Sequence, residues 1–173
     1  ENIKSLFAGI NTFIFDMDGV ITDGNVFAFP NGEHVRMMNV KDGYAMQLAI
    51  KKGYRIVIIS GGVSEAMIKR FEYLGITEVY FGIKDKINFF NDYIKKNNLS
   101  PSSILYMGDD IPDYEIMKVV KLPCCPADAV EEIKQISVYV SKSKGGEGCV
   151  RDVIENVLKL DNNWFDDKHS FIW

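Results

Sequence analysis

Asp16 and Asp18 stand two residues apart, directly after the apolar run Phe13-Ile14-Phe15 and directly before Gly19. Side chains at i and i+2 of an extended segment point the same way. This spacing therefore aims two carboxylates at one pocket, and Gly19 lets the chain turn away without filling it. Two carboxylates about 4 Å apart, at an effective dielectric of about 20, repel by on the order of 4 kcal/mol. A shared proton, a lysine or a metal ion must offset that repulsion.

Other segments supply candidates. Ser60-Gly61-Gly62 follows the apolar run Arg55–Ile59, Lys86 follows the run Glu78–Phe81, and Gly108-Asp109-Asp110-Ile111-Pro112-Asp113 follows Ile104–Met107. Asp16, Asp18, Asp109, Asp110 and Asp113 would place five acids near one sheet edge. A hard divalent cation with oxygen ligands is the simplest compensation, and Mg²⁺ suits a site that keeps waters for a phosphate. Ser60 offers a hydroxyl, and Gly61 and Gly62 expose N–H groups near a helix start, an anion cradle. Lys86 adds a positive point charge. The set is that of phosphoryl transfer. Each piece alone is ordinary: a turn, a helix cap, a surface lysine. Their weight comes from placement, since each one follows an apolar run that reads as a buried strand.

The elements that must position them alternate. Strands are predicted at Thr12–Phe15, Arg55–Ile59, 78–81, Ile104–Met107, 122–125 and 137–140. Helices are predicted over about 3–10, 42–52, 64–74, 85–97, 112–120, 127–135 and from after Gly148 to about Leu160. Such alternation gives an α/β fold, a doubly wound parallel sheet with helices on both faces, in which ligands bind beyond the carboxyl ends of the strands. Residues 25–38 depart from the pattern. Val26–Phe29 and Val35–Met38 flank an Asn31-Gly32 turn, which reads as a β-hairpin insertion whose Phe27, Phe29, Met37 and Met38 need cover from another subunit. Asp42 is read either as the cap of the following helix or as a substrate contact. Residues 1–160 read as one domain, and 161–173 as a tail whose Trp164 and Trp173 call for a docking surface.

Composition narrows the class. The chain has 173 residues, 47% apolar and 25% charged, and a net charge of −4. That suits one soluble domain, lacks the basic excess of a nucleic-acid binder, and holds no run long enough to span a bilayer. Cys124, Cys125 and Cys149 match neither a disulfide framework nor a zinc spacing. They read as small buried hydrophobes in a reducing, cytoplasmic compartment.

In order and placement these segments resemble the motifs of the haloacid dehalogenase superfamily of aspartate-nucleophile phosphatases. The resemblance implies a Rossmann-like sheet, with Asp16 as nucleophile and Asp18 as general acid and base. Ser60 would bind the phosphoryl group and Lys86 would steady its charge. It also implies Mg²⁺ held by Asp16, the Asp18 main-chain carbonyl and Asp109, supported by Asp110 and Asp113. The gaps from Asp18 to Ser60 and from Ser60 to Lys86 are too short for a cap domain. The finer pattern is Asp16–Gly24, Lys41-Asp42-Gly43, Gly82–Lys86, Gly108–Asp113 and Gly145–Arg151. It is similar to a lidless family that hydrolyses phosphates of eight- and nine-carbon 2-keto-3-deoxy sugar acids, such as 3-deoxy-D-manno-octulosonate 8-phosphate. That likeness implies a small-molecule sugar acid phosphate as substrate, in bacterial surface-sugar (lipopolysaccharide) biosynthesis. It further implies a homotetramer built through the hairpins, and a tail reaching toward a neighbouring site. Octulosonate members often carry an arginine two residues after the second-motif hydroxyl, and nonulosonate members can carry an acid. Gly62 stands there, so both sugars remain open, with Arg151 and Arg70 as candidates for the sugar carboxylate. A phosphatase of another small phosphomonoester is one alternative, and a phosphorylation-switched receiver, which shares several of these parts, is another. In that fold, however, the phosphorylated aspartate stands alone on a middle strand, where this chain has Ser60.

Overall fold

The computed structural model describes residues 2–173. After a short α1 (Ile3–Leu6), strand β1 (Thr12–Phe15) leads into a wide turn over Met17–Ile21, closed by the Thr22 N–H donating to the Met17 carbonyl. The hairpin follows as β2 (Phe27–Ala28) and β3 (His34–Val35). Then come α2 (Val40–Lys51), β4 (Arg55–Ile59), α3 (Glu65–Tyr73), β5 (Glu78–Tyr80) and α4 (Lys86–Lys96). The second half holds β6 (Ile104–Met107), α5 (Tyr114–Met117), β7 (Leu122–Cys125), α6 (Glu131–Ile136), β8 (Tyr139–Val140) and α7 (Cys149–Leu160).

Six strands form one parallel sheet in the order β5-β4-β1-β6-β7-β8. The chain winds outward from β1 to β5, then returns to β6 and winds the other way. The strand order thus reverses beside β1, and a crevice opens at such a switch point. Both sheet faces are covered, so the central strands are apolar at successive positions instead of alternating. Phe13, Phe15, Ile56, Ile58, Leu105 and Met107 pack under α2, α3 and α7. Ile14, Val57, Ile59, Ile104 and Tyr106 pack under α4, α5 and α6. The doubly wound sheet of the sequence reading is present, and no cap domain interrupts it among the described residues. All three cysteines are buried and free.

Several boundaries differ from expectation. The first helix closes at Leu6 because Phe7 and Ile10 turn in to the core. The helix expected over 112–120 is a 3-10 turn at Ile111–Asp113 followed by the short α5. Pro112 and a reciprocal capping box between Asp110 and Asp113 tighten that start. The helix expected from 127 begins at Glu131, since the Asp128 carboxylate accepts the Gly145 N–H at 2.9 Å in the preceding turn. Asn39, not Asp42, caps α2, accepting the N–H groups of Lys41 and Asp42.

The hairpin is a two-residue ladder, Phe27 opposite Val35 and Ala28 opposite His34. Phe27, Phe29, Val35 and Met37 are exposed, whereas Met38 packs partly against the core. The tail folds over α2 of its own chain. Lys52 binds Asp166 at 2.8 Å and Asp167 at 2.9 Å, and the Tyr44 ring meets Trp164 and Trp173 edge to face.

Candidate active site

Register sets the site. Phe15 pairs with Ile58 on one side and Met107 on the other, so the three central strands end nearly level. The residues just beyond those ends meet in a cleft of about 470 Å³. It is lined by Asp16, Asp18, Ser60, Gly61, Gly62, Lys86, Asp109 and Asp110, with Gly24, Ile83, Lys84 and Pro112 at its margins.

Asp16 is held by its own local structure: its carboxylate accepts the Met17 N–H at 2.7 Å. The turn that follows needs Gly19, which has φ +84°. A Cβ there would lie 1.8 Å from the Asp109 carboxylate. Asp85 caps α4 by accepting the Asn88 N–H, which fixes Lys86 at the helix start. From there the buried Lys86 ammonium lies 3.2 Å from Asp16 and 2.8 Å from Asp113. Asp113 has no exposed surface, and also accepts the Tyr106 hydroxyl at 2.6 Å and the Asp109 N–H at 3.1 Å.

These contacts set the electrostatics. Burial, followed by the charges of Asp113 and Asp109, pushes the Asp16 carboxyl well above the usual carboxylate range, and Lys86 opposes the rise. Burial and then Asp113 raise Asp109 to about 7. Burial works against the charge on Lys86, yet Asp113 and Asp16 together push its pKa up. One lysine faces three acids, the buried Asp16 and Asp113 and the half-buried Asp109, so with all three ionised negative charge is in excess. Oxygens of Asp16, Asp109 and Asp113 lie within 4.8 Å of one another, and Asp109 Oδ1 is buried without a hydrogen-bond partner. An all-oxygen set with excess charge and an orphaned acceptor fits a hard divalent cation.

The remaining candidates divide. Ser60 is buried, and its hydroxyl oxygen accepts the Gly62 N–H at 3.1 Å, so that arm of the expected cradle is engaged within its own loop. Asp110 lines the cleft but lies outside the three-acid cluster, its carboxylate accepting the Ile111 N–H. Asp42, Arg151 and Arg70 are not brought into the cleft of this chain. Asp42 is fully buried and accepts the Arg151 main-chain N–H at 2.8 Å, so it ties α2 to the start of α7. Burial raises its carboxyl to about 6. The Arg151 guanidinium binds Glu155 and lies over the rings of Tyr44 and Trp164. That of Arg70 lies over Tyr73.

Two residues escaped the sequence reading. Tyr106 looked like one more apolar strand position, yet its hydroxyl supports Asp113. Arg36, in the segment after β3, reaches back to Asp18 with Nε 2.6 Å from Oδ1 and Nη2 3.1 Å from Oδ2. The only signal for it was indirect: Gly62 leaves the cleft mouth without a side chain.

A family described as haloacid dehalogenase-like hydrolase matches residues 74–154. The chain is 35% identical over 158 residues to the 3-deoxy-D-manno-octulosonate 8-phosphate phosphatase KdsC of Escherichia coli K12, covering 91% of this chain and 80% of that protein. The crystal structure of the 3-deoxy-D-manno-octulosonate 8-phosphate phosphatase of Yersinia pestis superposes with a TM-score of 0.89 at 31% identity, covering 94% of this chain and 88% of that one. The enzyme of that name from Moraxella catarrhalis, solved with a magnesium ion, a phosphate ion and a KDO molecule, gives 0.88 at 30% identity, covering 93% and 92%.

Proposed function

The chain belongs to the haloacid dehalogenase superfamily, in its 3-deoxy-D-manno-octulosonate 8-phosphate phosphatase-like family, and on that premise we propose that this phosphatase hydrolyses the phosphate ester of a 2-keto-3-deoxy sugar acid through an aspartyl phosphate on Asp16. The observation that carries the mechanism is the gathering of Asp16, Asp18, Ser60, Lys86 and Asp109 around one cleft at the sheet's switch point. The substrate is 3-deoxy-D-manno-octulosonate 8-phosphate, the compound for which the relatives are named. Gly62 keeps a nonulosonate 9-phosphate as the second reading.

An Asp16 carboxylate oxygen attacks phosphorus and the ester bond to the sugar oxygen breaks, leaving an acyl phosphate on Asp16. Asp18 gives its proton to the departing alkoxide. As a carboxylate, Asp18 then takes a proton from water, which attacks the acyl phosphate at phosphorus. Inorganic phosphate leaves and Asp16 is restored. Lys86, 3.2 Å from Asp16, offsets the charge that builds as two anions meet. The Ser60 hydroxyl orients a phosphoryl oxygen. The cofactor is Mg²⁺, which Asp16, Asp109 and the Asp18 main-chain carbonyl would hold, with Asp110 and Asp113 in support. When bound it neutralises charge on the transferring phosphoryl group.

Residues 1–160 are read as the catalytic domain. The exposed Phe27, Phe29, Val35 and Met37 support assembly through the hairpins, and a homotetramer is the form proposed. The place of action is the cytoplasmic stage of bacterial surface-sugar synthesis.

The test is phosphate release with Mg²⁺ and with a chelator, across octulosonate 8-phosphate, nonulosonate 9-phosphates, hexose phosphates and nucleotides. The expected result is Mg²⁺-dependent preference for one keto-sugar acid. Equal, slow turnover of every ester would reject the sugar acid, and stable phosphorylation without release would reject the hydrolase.

A further inference from the structure

We propose that Arg36 is a positioning residue for Asp18 and that Gly62 exists as glycine to admit it. The inference rests on the phosphatase reading of Asp18 given above. Arg36 comes from the limb that leaves the hairpin, eighteen residues away in sequence. Its side chain is only 4% exposed, although the hairpin beside it stands in solvent.

Its donors are engaged by protein. Nε donates to Asp18 Oδ1 at 2.6 Å and Nη2 to Oδ2 at 3.1 Å, while Nη1 donates to the carbonyls of His34 and Val63 at 3.2 and 3.4 Å. A guanidinium spent in this way is not a free cation waiting for a substrate anion. It is a fork that fixes one carboxylate, as planar bidentate pairing does. The two arms are unequal. Nε holds Oδ1 at 2.6 Å, and Nη2 makes the longer contact to Oδ2 at 3.1 Å, so the plane of the carboxyl is set from outside its own turn.

Gly62 makes the room. A Cβ there would lie 2.9 Å from Arg36 Nη2 and 2.9 Å from Asp18 Oδ2, on the contact itself. Its φ is not in the left-handed region, so alanine is tolerated by the backbone. What must yield in Gly62→Ala is the mobile end of the two side chains, not the loop.

The experiment compares kcat/KM for octulosonate 8-phosphate, whose alkoxide leaving group needs a proton, with para-nitrophenyl phosphate, whose leaving group does not. It uses the wild type, Arg36→Ala, Gly62→Ala, Asp18→Asn and the Arg36→Ala/Asp18→Asn pair, all with Mg²⁺. Correct aim of the acid is worth about ten- to hundredfold for the alkyl ester. Arg36→Ala and Gly62→Ala are each expected to lose that factor on the sugar phosphate and to lose far less on the aryl phosphate. Adding Arg36→Ala to Asp18→Asn is expected to change the ratio no further. Equal losses on both esters, or none, in a folded Gly62→Ala protein would overturn the proposal, even if Arg36→Ala fails to fold. A wild type inactive on both esters would instead reject the phosphatase reading itself.

Discussion

Lys86 shows how much a single side chain does here. It is the cation that touches both Asp16 and Asp113, and it does so almost without solvent. Removing one partner of a buried ion pair leaves an uncompensated charge, at a cost of roughly 3–5 kcal/mol. Lys86→Met is therefore expected to lower unfolding stability by that order and kcat by at least about a hundredfold, checked by urea denaturation and by steady-state kinetics. Asp42 gives the opposite lesson. Its carboxyl is raised to about 6 by burial, so the folded chain binds its proton more tightly than the unfolded chain does. Its contribution to stability is therefore fully present below about pH 4 and falls as pH rises to about 6. Asp42→Asn should abolish that falling component, with the difference between variant and wild type growing from pH 4 to pH 6 in urea titrations and staying level above. A difference that is flat across this range would contradict the burial of an ionisable Asp42. At this scale the sequence was legible where chemistry-bearing residues follow apolar runs: Asp16, Asp18, Ser60, Lys86, Asp109 and Asp113 all announce themselves by position. Arg36 did not, because nothing local to residue 36 tells that its side chain folds back across eighteen residues. Asp42 and Arg151 were visible as a pair of motif positions, but their shared hydrogen bond is made by a main-chain N–H, which no residue type advertises.

The elements that hold these residues differ in how plainly they are written. The central strands β1, β4 and β6 were read to within a residue, because both their faces are buried and their apolar runs are unbroken. The short α5 and α6 were misjudged. Their boundaries are set by Pro112, by the Asp110–Asp113 box and by a turn held from Gly145, which are tertiary and capping effects, not periodicity. The hairpin stands apart. A two-residue ladder with Phe27, Phe29, Val35 and Met37 outside is too small to be stable alone. We propose that those side chains meet between copies. Phe27→Ser with Phe29→Ser is expected to convert the assembled protein to monomers by light scattering, with the far-ultraviolet circular dichroism unchanged. A double variant that keeps the wild-type mass would remove the hairpin from assembly.

The molecule is a sheet whose reversal point and acid cluster coincide, and among the described residues no lid covers the cleft of about 470 Å³. Its helices include none long and apolar enough to cross a membrane among the described residues. The tail that lies across α2 covers Tyr44, not the cleft. We propose that the constellation at the strand ends holds the phosphate and that Asp16 takes the phosphoryl group. The most direct measurement is chemical trapping. Asp18→Asn with Mg²⁺ and para-nitrophenyl phosphate forms the acyl phosphate without needing an acid and hydrolyses it slowly for want of a base. Acid quench, borohydride reduction and peptide mass spectrometry should then find homoserine at position 16, and none in Asp16→Asn. Homoserine at another aspartate, or release of nitrophenol by a protein that never carries the label, would show that Asp16 is not the nucleophile.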